Sequence, residues 1–306
     1  MKIYHGLRDK AIQRKKRCIA IGVFDGVHRG HQKILKQVVR DARRGHASPM
    51  AITFEPHPVK ILKPKAAHPI LISLAHRLRF FEKMGFRETF VIRFNKRFSK
   101  ISPEFFLKRL LLKKLGMVSL AVGHDFRFGH RGQGNTSYLG KQSEALGFRL
   151  FVSKPVRVKN KVISSTLIRR LIESGSLVKA AQMLGRPVSV YGTVVHGRGR
   201  GGKVGFPTAN LNPHHETLPP AGVYAAWGYL NKKRLRGVIH IGERPTFQDR
   251  ERTLEVHFFD FHRDIYGKEL ELIFVKRLRA IRRFPSLVVL RNAIRHDSKR
   301  ALAFLK

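Results

Sequence analysis

The sequence predicts an α/β protein in two parts: a parallel sheet with helical crossovers, then a small antiparallel β-barrel or sandwich. Three observations carry this. Up to about residue 186, short apolar runs alternate with helical stripes, which argues for parallel strands joined by right-handed crossovers. Beyond it, strand-like runs follow one another with turns between, and helical stripes are few until about residue 285. At 306 residues the chain holds about two domains of ordinary size. The expected domains are therefore residues 1–186 and 187–306.

In the first part, "CIAIGVF" reads as a buried strand, and "HQKILKQVVRDARR" places Ile34, Leu35, Val38, Val39 and Ala42 on one helical stripe. "MAITFE" is a second strand, "LAHRLRFFEKMGF" a helix and "ETFVIRF" a strand. "SPEFFLKRLLLKKLG" reads as a helix with Ser102 at its N-cap, and "VSLAVG" and "FRLFVSKPV" as further strands. Ligands of such sheets sit beyond the carboxyl ends of the strands. "GVFDGVHRGH", "TFEPHP" and "GHDFRFG" each follow a strand and should converge there. Two short helices separated by "SGS" end at Gly185 and form a link. "VSVYGTVVHG", "GVYAAWGYL", "RLRGVIHIG", "TLEVHFFDF" and "KELELIFVKRL" are the strands of the second part, closed by a helix over roughly 285–304.

Composition excludes several classes. The 42% hydrophobic content argues against wholesale disorder. A single cysteine, Cys18, excludes an intrachain disulfide framework; it lies in an apolar strand and reads as a buried, inert thiol. The N-terminal stretch lacks the apolar core of a signal peptide, and no apolar run approaches a membrane span, so a cytoplasmic protein is expected. There are 62 Lys and Arg against 20 Asp and Glu, a formal charge of +42 that attracts polyanions. The charge is scattered over "RKKR", "RDARR", "LKRLLLKK" and "VKRLRAIRR" rather than gathered on one element. A solvated basic surface accounts for it, and specific nucleic-acid recognition is not expected. The oligomeric state stays open.

Two motifs suggest phosphate chemistry. In residues 22–31, Gly22 and Gly26 permit a tight strand-to-helix turn with close backbone approach to a ligand. A helix beginning near His28 offers backbone N–H groups and a positive dipole end. His28 and His31, three apart, share its face and can stabilise charge on a transferring phosphate; a surface accident is the plain alternative. A metal pair would need a third ligand and would more naturally use i, i+4 spacing. "ISSTLIR" sets Ser164, Ser165 and Thr166 at a helix start with Arg169 in the first turn, suited to a phosphate or to plain N-capping.

In order and spacing, "GVFDGVHRGH", "TFEPHP", "GHDFRFG" and "ISSTLIR" resemble the adenylyltransferase half of the bacterial bifunctional riboflavin kinase/FAD synthetase family. "GKVGFPTANL", "GVYA", "IGERPTF" and "LEVHFFDFHRDIYGKEL" resemble its kinase half, so the likeness covers nearly the whole chain. It implies a Rossmann-like HxGH nucleotidyltransferase domain followed by a small antiparallel β-barrel riboflavin kinase domain with a C-terminal helix. It also implies two reactions: ATP-dependent phosphorylation of riboflavin to FMN, then adenylylation of FMN by a second ATP to FAD and pyrophosphate, both with Mg²⁺.

By resemblance, His28 and His31 contact the ATP phosphates and Gly22, Phe24, Asp25 and Gly26 form the loop beneath the nucleotide. Ser164, Ser165, Thr166 and Arg169 match a second phosphate motif. Phe54, His57, Pro58, Asp125 and Phe128 match the region holding the flavin end and ribose, with core packing as the alternative for the two phenylalanines. Arg127 and Arg131 serve substrate phosphates or belong to the basic surface. In the kinase half, Gly199, Gly201 and Gly205 form a loop over ATP before Pro207, with Thr208 and Asn210 serving metal and phosphates. Period-2 alternation sets Thr253, Glu255 and His257 opposite Leu254, Val256 and Phe258. An isolated strand glutamate is usually a solvated residue; the resemblance makes Glu255 the base for the riboflavin hydroxyl.

Three positions depart from the family pattern: Gly202 stands where arginine is usual, His240 where asparagine is usual, and Val188 where an aromatic is common. Two alternatives follow: a chain retaining one activity, or a basic nucleic-acid-binding protein on a nucleotide-binding scaffold.

Overall fold

Apolar strands alternating with one-sided helices form two units in the computed structural model, which describes all residues except 7–10, 67, 198–204, 215, 232 and 246–249. Contacts group Met1–His68 with Leu74–Ser165 in one unit, and Pro69–Ser73 with Thr166–Lys306 in the other.

The first unit is built on six parallel strands in the order β1-β4-β3-β2-β5-β6. They are β1 (Lys2–His5), β2 (Arg17–Ile21), β3 (Ser48–Glu55), β4 (Glu88–Arg93), β5 (Met117–Gly123) and β6 (Arg149–Ser153). Every residue of β2 is buried, as its continuous apolar run requires of a central parallel strand. Ile21 stands opposite Ile52 of β3, and Ala20 opposite Ala121 of β5. The chain runs outward from β2 to β3, then later returns to β5 on the other side. This reversal opens a crevice at the strand ends, where ligands of such sheets bind.

Helix α1 (Arg29–Arg44) buries Ile34, Leu35, Val38 and Ala42 of the predicted stripe and packs on β2, β3 and β5. Helices α2 (Pro58–Leu62) and α3 (Leu74–Lys83) follow in this unit. Phe105–Lys114 is π-helical, where the sequence predicts an ordinary helix; Leu115 N–H reaches Leu110 O at 3.0 Å. Ser102 does cap this segment, its Oγ accepting from Phe105 N–H at 3.1 Å. Phe106, Leu107, Leu110 and Leu111 cover the sheet face carrying Ile19, Ile21, Leu120 and Val122.

Short or one-contact elements escape the periodicity reading, and two show why. Strand β1 buries only Tyr4, so four residues carry almost no pattern. Helix α4 (Thr136–Leu146) buries only Leu139, and its local signals are its ends, the Asn135 cap on Tyr138 N–H and the left-handed Gly147. Inside the unit, Glu88 accepts from Arg17 through both Nε and Nη2, from Tyr4 OH and from Ser48 Oγ. Burial alone would raise its pKa, but these bonds prevail together and hold it at about 2.

The second unit carries the linking helices α5 (Ser165–Glu173, from Thr166 on) and α6 (Leu177–Leu184). A closed antiparallel barrel follows in the order β10-β13-β12-β11-β14-β9. Its strands are β9 (Ser189–Val195), β10 (Ala209–Asn212), β11 (Gly222–Leu230), β12 (Lys233–Pro245), β13 (Arg250–Phe258) and β14 (Glu269–Arg279). Helix α7 (Leu287–Phe304) sets Ala301 among Val223, Ala225 and Leu278 on the outside of the barrel. A short hairpin, β7 (Arg157–Val158) with β8 (Lys161–Val162), completes the strand set. Of the sequence alternatives, barrel and sandwich, the barrel is formed.

Candidate functional site

Beyond the strand ends of the parallel sheet lies a cleft of about 680 Å³. The three unusual loops all contribute to it: Gly22, Phe24 and Asp25; Phe54, His57 and Pro58; Asp125, Arg127, Phe128 and Arg131. His31 and Ser165 also line it. One end is aromatic. Phe54 meets Phe94 edge-on at 5.9 Å, and Phe128 stacks with Phe126 at 5.5 Å. Phe54 and Phe128 also belong to the buried core cluster, as the packing alternative expects, while both line the cleft.

The other end is built by the loop after β2. Gly26 has φ +86°, and Phe24 and Val27 are also left-handed at 53° and 39°. Non-glycine residues there cost on the order of 1–3 kcal/mol each and persist only where packing imposes them. Phe24 is imposed on by Phe81 of α3, edge-on at 5.6 Å. His28 is the N-cap of α1, its Nδ1 accepting from His31 N–H at 3.3 Å. A ring that accepts at Nδ1 carries its neutral-state proton on Nε2, so Nε2 is the donor His28 has for other groups. The two imidazoles stack at 3.6 Å. Gly30 makes this possible: a Cβ there would sit 3.1 Å from the His28 ring. His57 caps α2 in the same manner, accepting from Val59 N–H at 3.2 Å.

Ser165 Oγ donates to Asp25 O at 2.8 Å, joining the second hydroxyl motif to this loop. Thr166 and Arg169 fall in the second unit, where the buried Arg169 donates through Nε to Pro69 O at 2.7 Å. His28, Gly26 and Ser164 are not among the residues lining the cleft wall.

On the outside of the barrel, beside α7, lies a second cleft of about 450 Å³ that includes Thr208, His240, Glu255, Arg279 and Asp297. Register sets these groups. Glu255 on β13 pairs with Asn210 on β10 and His240 on β12; His240 pairs with Val223, and Val223 with Arg279. Directly opposite residues of antiparallel strands share a face, so Asn210, Glu255, His240 and Arg279 form one row. Leu254, Val256 and Phe258 are buried on the other face, as the alternation predicts. Thr208 Oγ1 donates to Glu255 Oε2 at 3.5 Å, and Arg279 Nε donates to Asp297 at 2.8 Å. Burial lowers the pKa of His240, against the nearby Glu255 carboxylate, which raises it. Gly205 is left-handed at φ +82°, and Pro207 O accepts from His257 Nδ1 at 2.8 Å. Gly199, Gly201 and Gly202 lie outside the described residues. Among the described residues no group of three or more His, Cys, Asp or Glu is placed to hold a metal ion.

Sequence reasoning passes over Arg77, Gly30, Arg279 and Asp297. Arg77 and Phe81 share a face of α3 at i, i+4, and an arginine on the buried face of a helix was the available signal.

Residues 10–167 match the FAD synthetase family and residues 184–305 the riboflavin kinase family. The chain is 35% identical over 306 residues to the bifunctional riboflavin kinase/FMN adenylyltransferase of Escherichia coli (strain K12), covering 99% of this chain and 98% of the relative. It is 31% identical over 297 residues to the protein of that name from Bacillus subtilis (strain 168), covering 95% and 93%. A crystal structure of a protein named macrolide-efflux protein, from Streptococcus pneumoniae, superposes with TM-score 0.83 at 28% identity over 99% of each chain. In the present chain no helix among the described residues is long and apolar enough to cross a membrane.

Proposed function

The chain belongs to the bifunctional riboflavin kinase/FMN adenylyltransferase family, and from that premise we propose which residues serve each of its two reactions. It phosphorylates riboflavin with ATP to FMN, then adenylylates FMN with a second ATP to FAD and pyrophosphate. Both family matches are present, so the single-activity alternative is set aside. The work divides near residue 186: residues 1–186 form FAD and residues 187–306 form FMN.

In FAD formation, a phosphate oxygen of FMN attacks the α-phosphorus of ATP and the bond to pyrophosphate breaks. No covalent bond to the protein is needed, so catalysis is positioning and charge stabilisation. His28 Nε2, His31 and the N-terminal N–H groups of α1 supply donors. Gly22, Phe24, Asp25 and Gly26 shape the loop under the phosphates, and Ser164, Ser165, Thr166 and Arg169 add a second set of contacts. Phe54, His57, Pro58, Asp125 and Phe128 receive the flavin and ribose. The observation that carries this assignment is one cleft lined both by aromatic residues, Phe54, Phe94, Phe126 and Phe128, and by His31 in the first turn of α1.

In FMN formation, Glu255 accepts the proton of the riboflavin 5′-hydroxyl as that oxygen attacks the γ-phosphorus of ATP, and the bond from that phosphorus to the β–γ bridging oxygen breaks to release ADP. Burial lowers the pKa of the neighbouring His240, which favours its neutral form beside the base. Gly199, Gly201, Gly205 and Pro207 belong to the ATP-covering segment. Thr208 and Asn210 would hold Mg²⁺. Two neutral oxygens without a carboxylate cage fit that ion, which relies on substrate phosphates and water. When bound, Mg²⁺ neutralises phosphate charge. A cytoplasmic location fits substrates of this kind.

The test is incubation of the purified chain with riboflavin, ATP and Mg²⁺, resolved by chromatography. FMN and FAD both appear if the assignment holds; FAD formed only from supplied FMN would remove the kinase half.

A further inference from the structure

Helix α3 contributes no side chain to the wall of the sheet cleft, yet two of its residues, one turn apart, grip the loop that leads to His28. Arg77 is only 2% exposed. Its Nη1 donates to Val23 O at 2.7 Å and to Thr53 Oγ1 at 2.9 Å, and its Nη2 donates to Glu55 Oε2 at 2.9 Å. Thr53 Oγ1 donates to the same Val23 carbonyl at 3.0 Å. Four residues along, Phe81 meets Phe24 edge-on, and Phe24 meets His31 edge-on at 5.4 Å.

Stability is a weak reason for such an arginine. Its charged partner Glu55 is 42% exposed, and such half-solvated ion pairs add little to stability. An apolar residue cannot supply a rigid fork of donors, which holds separate backbone segments at one spacing. The two segments here are the two sides of the reaction. Val23 lies in the loop assigned to the ATP phosphates, and Thr53–Glu55 ends the strand that carries Phe54 and leads to His57 and Pro58 on the flavin side.

We propose that Arg77 is a positioning residue for adenylyl transfer, tying the phosphate-side loop to the flavin-side strand end so that the FMN phosphate meets the α-phosphorus in line. The proposal rests on the assignment of this cleft to FAD formation. It commits Arg77 to kcat rather than to substrate affinity, because Arg77 does not line the cleft.

The experiment compares R77M and R77K with the parent chain, measuring kcat and KM for ATP and FMN in FAD formation. The riboflavin kinase rate and the thermal unfolding curve of each preparation are recorded alongside. R77M should lower kcat on the order of 10- to 100-fold, the loss that a displacement of about 1 Å produces. Both KM values and the kinase rate should stay near the parent's, and R77K, which keeps a donor for Val23 O, should recover part of the kcat. A native kcat in R77M overturns the proposal. So does a loss that merely tracks the unfolded fraction and is not recovered by R77K. H31A, run in parallel, separates this failure from that of the cleft assignment. An inactive H31A beside a fully active R77M removes Arg77 alone, whereas a fully active H31A removes the assignment and the proposal with it.

Discussion

The two clefts are built in opposite ways. The residues assigned to the sheet cleft stand on loops beyond strand ends, where Phe24, Gly26 and Val27 are left-handed and α3 braces the backbone from behind. The residues assigned to the barrel cleft stand on the strands themselves, where register alone sets Asn210, Glu255 and His240 in a row. A loop site depends on the packing around it; a strand site depends on pairing. The first should therefore be fragile to small steric changes at its loop, and the second tolerant of them but dependent on a few side chains.

The largest expected effect lies in the barrel. E255Q should lower FMN formation by roughly 10²- to 10⁴-fold, the usual contribution of a general base, and leave FAD formation from supplied FMN intact. Undiminished FMN production in this variant would discard Glu255 as the base. H31A should do the reverse, lowering FAD formation by roughly 10²- to 10³-fold through loss of one donor to developing charge. Equal loss of both activities in H31A would erase the distinction between the clefts.

Gly30→Ala sharpens the contrast with a smaller change. Its Cβ would meet the His28 ring at 3.1 Å, so the cap must shift. FAD formation should fall about 10-fold, by the displacement of a positioned group, with FMN formation unchanged. A native rate of FAD formation would mean that the cap geometry is not used.

The smallest effect at neutral pH concerns the frame of the sheet. Glu88 has a folded pKa of about 2 against an ordinary 4.5, so its contribution to stability is complete above the ordinary value and is lost as pH falls toward 2. Urea unfolding of the parent chain should weaken through that window. A flat profile would show that the Arg17–Glu88 contacts do not stabilise the sheet.

The same contrast explains what was legible in the sequence. Strand alternation alone set Glu255 apart from Leu254 and Val256, because a period of two leaves no freedom of face. The stripe of α1 was read because four of its five positions are buried together. Strand β1 and helix α4 were not, since each buries a single residue and leaves no period to see. In the site, the motif His28–Gly30–His31 was visible, but the use of His28 Nδ1 as a cap depends on the ring's orientation. The helix face of Arg77 left a signal, but its grip did not: its partners Val23, Thr53 and Glu55 lie 22 to 54 residues away in the chain.

The central claim is that two independent sites on one chain act in succession. The direct test mixes E255Q and H31A in one vessel with riboflavin, ATP and Mg²⁺ and follows FAD by chromatography. Neither variant alone should convert riboflavin to FAD, while the mixture should, because FMN made by H31A is free to reach the intact sheet cleft of E255Q. A mixture that makes no FAD, with FMN accumulating, would contradict the account.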